Sequence, residues 1–217
     1  PGTTDLILGA AADFPVVSED GLTYTFTLKD DLKFADGTPV TSADYVRSWK
    51  RFELGGQVSV LVQGYVADVT APDEKTVVYT LKDSYSFFPA LGATAPFVVS
   101  NPASFPDDAI VAFPEVLDGL GPYRMVSNAP GEQMVLEANP NYIGTPPNIK
   151  NVIIRYFADP ATLANAVETG EIDIAWRVLG PVEAIRLQSV EGLTVTTVDA
   201  PALRYMVFNH TFMVGGE

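Results

Sequence analysis

The sequence predicts a mixed α/β fold, with a β-rich first half and an α/β second half. Three observations carry this: a stretch alternating at period two, a capped amphipathic helix directly after it, and a second half where apolar runs alternate with helical patterns. Leu22, Tyr24, Phe26 and Leu28 alternate with Thr23, Thr25, Thr27 and Lys29, as in a half-buried strand. Asp20-Gly21 and Asp36-Gly37 are turn signals at its approaches. Next, Thr41 and Asp44 have capping-box spacing, although Asp reaches less far than Glu. Tyr45, Val46, Trp49 and Phe52 fall on one face of the helix that follows, and Gly55-Gly56 ends it.

The stretch "GYVADVTAPDEKTVVYTLK" reads as two strands joined by a turn at Pro72 to Lys75. "SYSFFPALGATAPFVVSNPASF" is apolar and broken by proline, which suits a short helix and a buried loop. A weakly patterned run from Pro106 to Asp118 marks the expected subdomain boundary. Beyond it, Tyr123, Met125 and Val126 lead to a turn at Pro130-Gly131 and a return strand from Met134 to Glu137. "NIKNVIIRYFA" is a continuous β-branched run, predicting a strand buried on both faces. Asp159 is placed to cap a helix with Pro160 at its first position, Leu163, Ala164 and Val167 on its buried face, and Gly170 just past its end. "EIDIAW" then predicts a strand, Pro181 opens a short helix, and "GLTVTTVDA" and "LRYMVFNH" predict further strands. That order implies an α/β layer with right-handed crossovers.

Composition narrows the function. With 13 Lys and Arg against 27 Asp and Glu, the formal charge is −14. Basic residues gather only at Arg47, Lys50 and Arg51, so no nucleic-acid partner is expected. The absence of cysteine removes thiolate metal sites, disulfides and cysteine catalysis, and a single histidine, His210, makes histidine triads and multi-histidine metal sites poor candidates. No cofactor and no metal site are expected. No run of apolar residues is long enough to span a bilayer, and the opening "PGTTDLILGAAADFP" lacks a basic leader, so a signal peptide either never existed or lies outside the chain. The apolar stretch that stops shortly before "GGE" leaves the chain without a closing element, so it is expected to be a fragment of something longer.

Four motifs occur in order: "SEDGLTYTFTLKDDLKFADGTPVTSADYVRSWKRF", "PDEKTVVYTLKDSYSFF", "GLGPYRMV", and "ANPNYIG" with "AVETGEIDIAW". Together, over roughly Pro15 to Asn209, the chain resembles the family 5 extracellular solute-binding proteins, the oligopeptide- and dipeptide-binding receptors of ABC importers. The resemblance implies a periplasmic-binding-protein type II-like large lobe. Residues 1–117 would be its outer β-rich subdomain, 118–204 part of its α/β core, and 205–217 the start of a hinge strand toward a second lobe. It further implies an extracytoplasmic protein, in the periplasm or as a cell-surface lipoprotein anchored by lipid outside this chain. Its partners would be a peptide or related small solute and a membrane permease, with no covalent chemistry. Two departures stand out: Leu120 replaces the usual threonine of Gly-Thr-Gly-Pro-Tyr, and Asp30-Asp31 stands where a glycine is common.

Trp176 and Arg177 follow "GEIDIA" at an expected strand end, where ligands gather in open α/β sheets. An aromatic platform beside a guanidinium suits a peptide's side chains and carboxylate. Against this, Trp176 could be core and Arg177 a solvated charge. Tyr205 and Asn209, on the implied hinge strand, could receive a peptide main chain; packing inward and capping a turn are the plainer roles. Gln57 to Leu61 matches a family segment that approaches the ligand, too loosely to name single residues. His210 reads as structural, although some family members bind nickel complexes or haem. Two other functions are weighed. A carboxylate-dependent hydrolase would draw on Asp30-Asp31, Asp107-Asp108 or Glu171 and Asp173, but nothing supplies a nucleophile or oxyanion donors. A cell-surface interaction module would present a flat surface with no cleft near Trp176 and Tyr205.

Overall fold

The computed structural model describes residues 6–55, 64–92, 97–105, 107, 117–176 and 179–197. The chain forms two compact units, one ending at Tyr156 and the other beginning at Phe157. The change from the first sheet to the second falls between residues 82 and 122.

The first unit opens with a four-stranded antiparallel sheet in the order β1-β2-β4-β3, built from β1 (Val16–Val17), β2 (Thr23–Thr27), β3 (Val66–Asp73) and β4 (Thr76–Leu81). The alternation expected near the N-terminus becomes β2, with Tyr24 buried within it and Leu28 buried just beyond. The β3–β4 hairpin turns where expected: the Asp73 carboxylate accepts the Lys75 and Thr76 N–H groups, each at 2.9 Å. Helix α1 (Ser42–Glu53) packs on β3 and β4. Its first turn is closed by the Asp44 carboxylate, which accepts from the Thr41 N–H at 2.8 Å and the Thr41 hydroxyl at 3.0 Å. The Ser42 N–H donates to the Glu74 carbonyl at 2.9 Å, tying the helix start to the hairpin turn. Over the sheet lies an aromatic cluster in which Phe88, at the start of helix α2 (Phe88–Leu91), meets Tyr24, Tyr79 and Phe97 with ring centroids 4.8, 5.7 and 5.6 Å away. Asp31 has φ of 57°, a left-handed backbone that glycine adopts without strain, which gives a physical reason for the glycine common there.

The second sheet is a three-stranded antiparallel meander of β5 (Tyr123–Ala129), β6 (Gln133–Ala138) and β7 (Asn151–Arg155). Here the structure departs from expectation. The run "NVIIR" is a strand but is not buried on both faces: Ile153 is 61% exposed. Among the described residues β7 is an edge strand paired with β6, and a strand's faces are buried only where another layer covers them.

In the second unit, helix α3 (Pro160–Glu168) is capped as predicted, the Asp159 carboxylate accepting the Thr162 N–H at 2.8 Å. It ends in a Schellman motif: Glu171 N–H to Ala166 carbonyl at 2.9 Å and Gly170 N–H to Val167 carbonyl at 3.2 Å, with Gly170 at φ 72°. Helix α4 (Pro181–Gln188) follows. Its Arg186 pairs with Glu168 and donates to the Asn165 side chain at 3.2 Å, linking the two helices. The predicted strands at 171–176 and 192–197 are not strands. A strand exists only with a hydrogen-bonded neighbour, and these segments instead lay Ile172, Ala175, Leu193 and Val195 on a small core of Ala164, Val167 and Leu187. The strand–helix–strand alternation expected for this half is therefore represented, among the described residues, by β7 and the two helices. "LRYMVFNH" lies outside them.

Candidate functional site

Turns from three of the motifs that carry the family resemblance meet in one polar cluster in the first unit. Asp118 is 6% exposed, and its two carboxylate oxygens accept the Ala35 N–H at 2.6 Å and the Asp36 N–H at 2.8 Å. Asn101, also buried, donates to the Asp36 carboxylate at 2.9 Å and lies 3.4 Å from that of Asp118. From the other side, Asn141 donates to the Ala35 carbonyl at 3.1 Å, and Asn139 donates to the Gly121 carbonyl at 2.8 Å. The Asp-Gly turn after β2, the Gly-Pro-Tyr turn before β5 and the Asn-Pro-Asn-Tyr turn after β6 thus meet around a single buried carboxylate. Gly37 sits at φ 92°, with the Asn141 amide 3.8 Å from where a Cβ would stand. The Asp118 carboxylate and the Ala35 and Gly121 carbonyls accept from other segments, while the Asp36, Asn101 and Asn139 side chains also accept from N–H groups two residues on, an arrangement that joins and fixes turns. None of Asp118, Asn101, Asn139 or Asn141 was singled out from the sequence. The available signal was the concentration of short polar side chains at turns bounded by apolar strands.

The electrostatics point the same way. Among the described residues, the carboxylates with displaced ionisation are Asp20, Asp30, Asp36, Asp73 and Asp159, and all are held below the ordinary range. Hydrogen bonds are the cause: from Ser18 to Asp20, from Lys75 to Asp30, from the Lys75 N–H to Asp73 and from the Thr162 N–H to Asp159. At Asp36 desolvation pulls upward and is outweighed by Thr38 and Asn101. A general acid needs the opposite displacement. Asp107 of the candidate acidic pairs is engaged by Arg47, which also donates to the Ser100 carbonyl at 2.9 Å and so ties α1 to the following loop. Among the described residues, no cluster of three or more His, Asp or Glu side chains is placed to hold a metal ion.

Of the ligand-contact residues named from the sequence, Trp176 alone is described; Arg177, Tyr205 and Asn209 lie outside the described residues, as do Gln57 to Leu61 and His210. Trp176 is 75% exposed, at the end of the segment that leaves the α3 cap. The segment expected to be a strand carrying it is irregular. In the same unit Ile174 is exposed, as are Val182 and Ile185, three apart on one face of α4.

The sequence pattern of bacterial extracellular solute-binding proteins, family 5 Middle, matches residues 5–214. The chain is 34% identical over 216 residues to the "Probable D,D-dipeptide-binding periplasmic protein DdpA" of Escherichia coli strain K12, covering 97% of this chain and 41% of that protein. It is 31% identical over 162 residues to the nickel-binding periplasmic protein of the same organism, covering 73% of this chain and 31% of that protein. Its fold matches the ABC transporter-associated periplasmic binding protein DppA of Helicobacter pylori, solved with the peptide STSA, with a TM-score of 0.73 at 20% identity, over 88% of this chain and 41% of that one. The fold is of the periplasmic-binding-protein type II class. The chain spans about two fifths of the first of these relatives.

Proposed function

Because the chain belongs to the bacterial extracellular solute-binding proteins of family 5, we propose that it is part of the extracytoplasmic receptor of an ABC importer. The receptor captures a peptide between two lobes and presents the closed form to a membrane permease. Ligand drives closure by binding the closed state more tightly than the open one. The observation that carries this reading is the 34% identity to a dipeptide-binding periplasmic protein along 97% of the chain. Residues 1–117 act as the outer subdomain and 118–204 as the core, with 205–217 leading toward the second lobe. The relatives described as periplasmic support a place outside the cytoplasm, in the periplasm or on the cell surface through a lipid anchor. Among the described residues no helix is long and apolar enough to cross a membrane.

Within that receptor, Trp176 and Arg177 form one wall of the ligand site, and Tyr205 and Asn209 meet the ligand main chain. The exposure of Trp176 supports this, since a large aromatic ring in water is a common mark of a recognition surface. Binding proceeds without covalent chemistry, consistent with Asp30, Asp36 and Asp159 being held toward the ionised form.

Mass spectrometry of solutes that co-purify with the full-length protein tests the substrate class. Peptides are the expected result; consistent recovery of sugars or metal chelates would overturn the peptide assignment and leave the receptor assignment standing. For the site, Trp176→Ala in the full-length protein should weaken binding of the co-purified peptide by about tenfold or more with Tm nearly unchanged. A large drop in Tm with unchanged affinity would remove Trp176 from the site.

A further inference from the structure

We draw no further inference here: the strongest candidate, the cleft beside segment 8–10 that Lys29, Lys33, Asn141 and Tyr142 line, lies open on one side, and nothing in the structure shows what covers it in a chain spanning about two fifths of its first-named relative.

Discussion

β4 and β7 are both short and rich in β-branched residues, and each lies in an antiparallel sheet of the same compact unit. Their fates differ. Val77, Tyr79 and Leu81 of β4 are buried, Val77 to 1% exposure, whereas Ile153 and Ile154 of β7 are exposed. β4 is flanked by β2 and β3 and covered by α1 and the aromatic cluster; among the described residues β7 has one neighbour. Apolar composition states that a strand requires cover, but neighbours in space decide whether it receives any.

The largest effect is expected where the cover is thickest. Phe88→Ala removes a ring that is 1% exposed and touches Tyr24, Tyr79 and Phe97. It should destabilise by about 3–5 kcal/mol, read as a shift in the urea midpoint at constant slope; a loss within experimental scatter would mean that the cluster is not a packed core. Next comes the joint between the sheets. Asp118→Ala strips the Ala35 and Asp36 N–H groups of their acceptor, at a cost of about 2–3 kcal/mol. If the joint couples the sheets, hydrogen exchange should quicken on both sides of it, in the Asp36 turn and in the Asn139 turn. Quickening confined to the Asp36 turn would limit Asp118 to a local role.

A smaller effect is expected from acid in the second unit. The Thr162 N–H, and then its hydroxyl, hold the Asp159 carboxyl below its ordinary value near 3.8. A depressed folded pKa contributes stability that is present above the unfolded value and disappears as pH falls through the folded one. Helix α3 should therefore loosen below about pH 4, and Asp159→Asn should flatten that part of the thermal stability profile. An unchanged profile would show the cap to be silent. The smallest change is expected on β7: Ile153→Thr should alter stability by no more than about 0.5 kcal/mol in the chain as described. A loss of several times that in the full-length protein would show that its exposed face is covered there, and the contrast with β4 would then be one of cover supplied from elsewhere.

Much of the local structure was legible. Strand β2, the Asp44-closed start of α1, the Asp73 turn, and the Asp159 cap and Gly170 end of α3 all appear where the residues predict them. Each depends on groups within about four residues of one another, a range the sequence displays directly. The misplaced strands after α3 show the limit. "EIDIAW" has strand composition, but among the described residues no partner strand pairs with it, and Ile172 and Ala175 turn to the helices. The candidate ligand site was legible only through family resemblance, because an exposed tryptophan and a buried one have the same letter.

By itself, then, the sequence determined the class of the fold, the family and the local punctuation of helices and turns, since these follow from short-range hydrogen bonding, periodicity and motif order. Only the tertiary structure decided what Asp118 does, because its partners Ala35 and Asp36 lie 83 and 82 residues away. It also decided that Asn141 reaches Ala35 across 106 residues and which apolar strand is covered. Such pairings arise from the packing of the whole chain, where many segments compete for the same neighbours, and no local pattern encodes the winner.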